Sequence, residues 1–327
     1  MPSPSTRREF LGHAGKFCIG ATAASLCCRH VQAAAGPTTL CTAVRDGMLR
    51  YTGEKDSWSA LKLIGAEGVE VDVQEDLALP ALRHVAGKYC LATDAGIEQL
   101  RKDAATAGRR ITAFCLRNCF EERPEVEIKL CAQVARIAQA LGVPAIRLDV
   151  VPKQLARPEF LKLAIRTLGK VVAASESTGV AWAVENHGNT TNDPAFLRPL
   201  FAGVGSQRLG LTLDTGNFYW FGSPLSKVYE LYEAFAPRVF HTHIKSIRYP
   251  AEWREKQRPV GWKYDDCESA IDRGDIDFAR VVAILRKAGY KNDLCIENEF
   301  LGKLSPAQTV ETLTRELQYL KRLRGQG

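Results

Sequence analysis

Eight short apolar runs rich in β-branched residues, spaced along almost the whole chain, constrain the fold more than any other feature. They are Thr39–Val44, Val69–Val73, Arg110–Leu116, Ala145–Val151, Val180–His187, Leu209–Asp214, Val239–Lys245 and Asp293–Phe300. Between them lie longer stretches with the apolar period of a helix, among them Asp94–Ala107, Glu125–Leu141, Glu159–Ser177, Leu225–Phe235, Phe278–Ala288 and Pro306–Leu323, with Gly108, Gly142, Gly179 and Gly289 at the joints. A strand, a helix and a further strand pair in parallel through a right-handed crossover, and eight such units close on themselves. The expected fold is therefore α/β, a single (β/α)8 TIM barrel. An open doubly wound sheet is the rival, but no strand is followed by the glycine fingerprint of a dinucleotide or P-loop site.

Composition narrows the function classes. The 327 residues are 46% hydrophobic and 25% charged, enough for one large core. No run approaches the ~20 apolar residues of a transmembrane helix, so no stable membrane insertion is expected. The formal charge is +7; residues 1–35 supply three of those charges through Arg7, Arg8, Lys16 and Arg29 against Glu9, which leaves +4 spread without a basic run. That gives no footprint for nucleic acid.

Within residues 1–35, Thr6-Arg7-Arg8-Glu9-Phe10-Leu11 precedes a weakly apolar stretch from Phe17 to Cys28 and then Ala33-Ala34-Ala35. This order resembles a twin-arginine export signal. It implies the twin-arginine export machinery as a partner and a barrel domain, residues 36–327, that works in the periplasm or elsewhere outside the cytoplasm. Seven of the ten cysteines follow the signal, an odd and scattered set that makes no disulfide framework. Cys115 and Cys119 have no second pair at zinc spacing, and His84 reads as a surface residue in a loop.

In a barrel of this kind the working face lies at the C-terminal ends of the strands. Four consecutive late strands each end in residues able to bind a metal: Glu185 in AVENHG, Asp214 in LTLDTGN, His241 and His243 in VFHTHIK, and Glu297 and Glu299 in LCIENEF. An ionised group in a buried apolar run costs several kcal/mol unless it is paired or coordinated, so four neighbouring strands ending this way is a signal. Strand alternation points Glu185 with His187, His241 with His243, and Glu297 with Glu299. Spacing alone leaves open which member of each pair is a ligand. A buried ion-pair network closing the barrel with Arg147 or Lys245 is the competing explanation.

Together with Glu185-Asn186-His187, Asp214-Thr215-Gly216-Asn217, His241-Thr242-His243-Ile244-Lys245, Gly274-Asp275-Ile276-Asp277 and Ile296-Glu297, residues 38–323 resemble the sugar isomerase/epimerase family of xylose isomerase-like barrels. The resemblance implies Glu185, Asp214, His243 and Glu297 as ligands of one divalent ion, with Glu185 and Glu297 doubling as catalytic acid/base groups. It also implies that His187, Asn217 and Lys245 touch substrate. Such a ligand set, three carboxylates and an imidazole without a thiolate, favours Mn2+, with Mg2+, Co2+ or Zn2+ as alternatives. Asn217 and Ser246 depart from the family pattern, which often has His and an acid there, and so bear on substrate choice.

Aromatic and basic residues in the late loops fit a sugar pocket. Trp220 follows the Asp214 strand, and a long lid loop at about 247–273 carries Arg248, Arg254 and Arg258 among Tyr249, Trp253, Trp262 and Tyr264. Arg248 and Trp220 are expected substrate contacts, as is His241. The same aromatics suit a subunit interface, which leaves a homo-oligomer open. The expected activity is metal-dependent isomerisation or epimerisation of a free sugar or keto-sugar by Glu-mediated proton transfer through an enediolate. Dehydration of a keto-polyol on the same site is the alternative. A non-catalytic exported sugar-binding barrel and an apurinic-site endonuclease rank below it.

Overall fold

The computed structural model describes residues 40–325, so the expected export signal lies outside the described residues. The barrel strands are β1 (Cys41–Arg45), β2 (Gly68–Asp72), β5 (Arg110–Leu116), β6 (Ala145–Leu148), β7 (Ala181–Glu185), β8 (Leu209–Asp214), β9 (Val239–His243) and β12 (Asp293–Ile296). Two short antiparallel pairs are inserted, β3 (Ala78–His84) with β4 (Gly87–Cys90), and β10 (Ser246–Ile247) with β11 (Glu268–Ser269). All barrel pairings are parallel, in the order β12-β1-β2-β5-β6-β7-β8-β9. Closure comes at the C-terminal rim, where Ile244 bridges Ile296: the Ile244 amide donates to Cys295 O at 2.7 Å and the Glu297 amide to Ile244 O at 3.1 Å.

The helices are α1 (Ser57–Ile64), α2 (Asp94–Ala107), α3 (Pro124–Leu141), α4 (Arg157–Ala174), α5 (Pro194–Val204), α6 (Asn217–Trp220), α7 (Leu225–Phe235), α8 (Tyr264–Cys267), α9 (Phe278–Lys287) and α10 (Pro306–Gly325). Side-chain caps set several starts: Asp56, Thr93, Asp193 and Asp277 each accept from a first-turn amide of α1, α2, α5 and α9. Gly108, Gly142, Gly179 and Gly289 stand at the joints with φ between 62° and 82°, a left-handed turn that a Cβ would strain. No helix among the described residues is long and apolar enough to cross a membrane.

Several strands are shorter than the apolar runs predict: the chain leaves the sheet at Leu148, Glu185, His243 and Ile296 rather than at Val151, His187, Lys245 and Phe300. At those points it turns to place polar side chains over the mouth. His84 lies on β3 rather than in a loop, its ring 5.4 Å from that of Tyr89 and its Nε2 3.7 Å from Asp103. Outward residues such as Val69, Leu148, Trp182 and Leu211 are buried beneath the helices. The inward residues are unusually polar towards the mouth, and there the site is built.

Candidate metal centre

Strand alternation sends Glu185, Asp214, His243 and Glu297 into the barrel near its C-terminal rim, and one ligand atom from each lies within 4.8 Å of every other. His243 sits at the centre. Its Nδ1 is 3.0 Å from Glu185 and 3.3 Å from Glu297, while its Nε2 is 3.0 and 3.1 Å from the two oxygens of Glu70 on β2. A neutral ring that shares its Nε2 proton with Glu70 offers Nδ1 as a lone pair towards the other carboxylates, the arrangement by which an outer carboxylate orients a metal-binding imidazole.

The family motifs also tie the strand ends together. The Asn186 amide accepts from the Asp214 backbone at 2.8 Å and donates to Asp214 O at 2.9 Å, locking β7 to β8. The Thr215 hydroxyl accepts from the Lys245 amide and donates to Lys245 O at 2.7 Å, locking β8 to β9. Asn217 donates from its backbone to Asp214 Oδ1 at 2.8 Å and from its side chain to Asn186 O at 2.9 Å. In Gly274-Asp275, a Cβ on the glycine would lie 2.0 Å from Ser246 Oγ, and Asp275 accepts from the Tyr249 amide at 2.8 Å and the Tyr219 hydroxyl at 3.0 Å.

Three cations join the cluster. Arg147 donates from Nε to Glu185 at 2.7 Å, Arg45 reaches both Glu70 at 2.9 Å and Glu297, and the Lys245 ammonium stands 3.0 Å from Asp214 and 3.4 Å from Glu297. Arg147 and Lys245 are thus the ion-pair partners the sequence allows, and Arg45 is a third. They do not balance the site. Glu70, Glu185, Asp214 and Glu297 face these three cations, Lys245 and Arg147 also reach Glu299 and Asp149, and Asp293 lies a layer below against His241. The carboxylates outnumber the cations, and an imidazolium ring or a divalent cation would offset that excess.

The titration behaviour matches this shortage. Burial lowers the His241 pKa, but Asp293 and Glu70 outweigh it and lift it to about 9; burial likewise opposes charge on His243, and Glu70, Glu297 and Glu185 overcome it. Burial pushes Glu185 up while Arg147 and His243 pull it below the usual carboxylate range, and His243 and Lys245 do the same to Glu297. Asp214 moves the other way, to about 8, because burial outweighs Lys245. Its Oδ2 is buried with no hydrogen-bond donor among the described residues, although Lys245 lies within ion-pair distance. A cluster of an imidazole and three carboxylates, two of them held ionised, is a donor set that fits a divalent ion.

The remaining expected contacts divide. His187 is half exposed at the rim, its Nδ1 3.3 Å from Asp149, and Lys245 is buried within the cluster. His241 is fully buried one layer below His243, held 2.9 Å from Asp293, and cannot meet a substrate at the mouth. Arg248 is exposed, and only its backbone is tied, to Cys267 O. Trp220 packs beneath the lid loop against Gly261. The lid is ordered: a short 3-10 turn at Ala251–Trp253, α8 and the β10–β11 pair give it structure. Tyr249, Trp253 and Trp262 pack on one another at ring distances of 4.7 and 5.8 Å rather than facing a sugar. Glu70 and Arg45 carry no motif, and only the presence of a charge within an apolar strand marks them.

The family model for the xylose isomerase-like TIM barrel matches residues 58–323. The chain belongs to that family. It is 25% identical over 166 residues to the inosose isomerase of Halalkalibacterium halodurans, which covers 49% of this chain and 55% of that one. The chain spans a little over half the length of the curated relatives it matches. Among solved structures, an IOLI protein with a bound zinc atom superposes with a TM-score of 0.63 at 18% identity, covering 85% of this chain and 96% of that one. An L-ribulose 3-epimerase gives a TM-score of 0.60 at 15% identity, covering 88% and 95%. At these identities the structural likeness carries the fold alone.

Proposed function

We propose that this protein is a divalent-metal-dependent isomerase or epimerase of a small, unphosphorylated sugar or keto-sugar, with Mn2+ the favoured ion. The observation that supports it best is the convergence of Glu185, Asp214, His243 and Glu297, one ligand atom of each within 4.8 Å of the others, in a buried site where carboxylates outnumber cations. An ion bound there would polarise a substrate carbonyl and stabilise negative charge developing on its oxygen.

The chain's own residues supply the proton chemistry. Glu185 and Glu297 are held ionised, by Arg147 and His243 in one case and by His243 and Lys245 in the other, so each is a base at neutral pH. They come from β7 and β12, two strands separated in the barrel by β8 and β9, so they approach a bound molecule from different sides. One, as the carboxylate, would take a carbon-bound proton, while the other, having first taken a proton from solvent, would return that proton to the opposite face, inverting a stereocentre. Glu70 and Asn217 hold His243 and Glu185 in register while this happens. Residues 1–35, read as a twin-arginine signal, complete the proposal by placing the barrel outside the cytoplasm, where the available sugars are unphosphorylated. Fractionation of a chain with Arg7 and Arg8 both changed to Lys should then find it retained in the cytoplasm.

The decisive experiment measures solvent-proton exchange into a panel of ketoses and aldoses with Mn2+. Exchange in wild type that disappears in Glu185→Gln and Glu297→Gln is the expected result. No exchange with any sugar in the metal-loaded protein would overturn the proposal, and formation of an unsaturated or dicarbonyl product would reassign the site to water elimination.

A further inference from the structure

A cavity of about 660 Å³ lies against the C-terminal ends of β1, β2 and β5 and is walled by the β3–β4 hairpin and the segment 46–50. Its size falls within the range of about 300–1,000 Å³ typical of small-molecule sites. Arg45 connects it to the metal centre, because Arg45 lines the cavity and also holds Glu70 and Glu297. Arg45 is thus the side chain that the cavity and the Glu297 end of the acid/base pair share. Gly47 also lines it, and a Cβ there would meet nothing within 4 Å.

The charge of the lining is specific. Five arginines, Arg45, Arg50, Arg83, Arg117 and Arg123, face only three acids, Asp46, Asp72 and Glu75. Arg123 is occupied by Glu75 and by Glu127 at 2.9 Å, and Arg117 reaches Asp72 at 3.6 Å. Arg50 and Arg83 have no carboxylate partner among the described residues. Arg50 lies 4.5 Å over the Tyr51 ring and bonds its hydroxyl, and Arg83 donates to Leu49 O at 3.1 Å, which sets it beside the chain segment that carries Arg50. The Arg83 Nε is buried without an acceptor. A planar carboxylate in the cavity matches the fork of an arginine that has no carboxylate partner of its own.

We infer that Arg50 and Arg83 bind the carboxylate of a sugar acid, so that the molecule turned over at the metal centre is a hexuronate or similar acidic sugar rather than a neutral one. The inference rests on the isomerase/epimerase proposal for the site's chemistry but concerns a separate part of the mouth. Arg45, Arg117 and Arg123 are engaged by carboxylates, which leaves Arg50 and Arg83 as the pair that suits one added carboxylate. The fork geometry of arginine favours a planar carboxylate.

The test uses a panel of hexuronates, each with its neutral hexose and its hexose 6-phosphate. Calorimetric binding is measured in the metal-free protein, and proton exchange in the Mn2+-loaded protein. The expected result is preferential binding of a hexuronate, with the uronate-over-hexose preference falling about 10- to 100-fold in Arg83→Gln and in Arg50→Gln and partly restored in Arg83→Lys. Preference for the neutral hexose or the phosphate, or an unchanged preference in folded Arg50→Gln protein, would overturn the inference. Exchange into neutral sugars alone would sink this inference and leave the proposed reaction standing. Arginine-dependent uronate binding without any proton exchange would do the reverse.

Discussion

Arg258 is the residue whose removal most directly tests how the lid is held. It is 3% exposed and has no carboxylate within ion-pair distance among the described residues. Its guanidinium instead donates to the carbonyls of Trp253, Lys256, Tyr219 and Ser223 at 2.6, 3.0, 3.0 and 2.8 Å. It lies 4.5 and 4.3 Å from the ring centroids of Tyr219 and Tyr249. Four bonds from a charged donor, half of whose acceptors regain water when the donor is lost, contribute about 3 kcal/mol, and the two ring faces roughly 1 kcal/mol more. Arg258→Ala should therefore make local opening of the lid easier by about 4 kcal/mol, close to a thousand-fold in an opening equilibrium. Hydrogen exchange reads this at the amides that the lid protects: Gly261 bonded to Trp220 O, residue 258 bonded to Gly222 O, and Leu225 bonded to Arg254 O, each at 2.9 Å. Amides of β5 should be unaffected. Equal loss of protection in lid and barrel, or none in the lid, would refute the view that Arg258 ties down a separately opening unit.

Three other outcomes follow from the geometry. Mn2+ at about a hundred times its dissociation constant should stabilise the protein by about 2.7 kcal/mol in a thermal melt, and Asp214→Asn should lose that gain; a wild-type melt indifferent to Mn2+ is incompatible with a metal centre. Burial raises Glu316 on α10 to about 7 although it accepts from the Ile271 amide and the Asn298 side chain, so its contribution is complete below pH 4.5 and declines by up to about 3 kcal/mol as pH rises through 7. Denaturant melts of Glu316→Gln between pH 5 and 8 should show a flatter pH dependence than wild type, since the unpartnered Asn298 oxygen can receive the new amide. Gly210→Ala would place a Cβ 2.0 Å from Arg238 O and force β8 from β9, so its denaturation midpoint should fall by the equivalent of about 2 kcal/mol or more.

The barrel is legible in the sequence because both signals it needs are local: apolar alternation marks each strand and glycine marks each joint. The ends of the strands are not, since Val151 and Phe300 continue the apolar pattern after the backbone has left the sheet. Alternation finds the right parity for the site but not the depth. His241 and His243 point the same way, and only the stagger of β9 against β12 shows that one is at the mouth and the other a layer below, against Asp293. Glu70 was within reach of the same criterion that singles out the late strands, an acid inside an apolar run, yet the motif-bearing strands draw attention away from β2. The aromatic residues of the lid illustrate a different limit. Composition states that Tyr249, Trp253 and Trp262 are there, but whether they face a ligand or one another depends on a loop path that Arg258 and Asp275 decide.

The two sides of the barrel mouth come from separate stretches of the chain. Residues 185–299 contribute the ligands, the paired glutamates and the lid, while the large cavity opposite is built entirely from residues 45–130, including a hairpin that forms no part of the barrel wall. On the proposed reading, such a division makes recognition exchangeable: a different hairpin grafted between β2 and α2 would change which molecules are admitted and leave the residues around His243 in place.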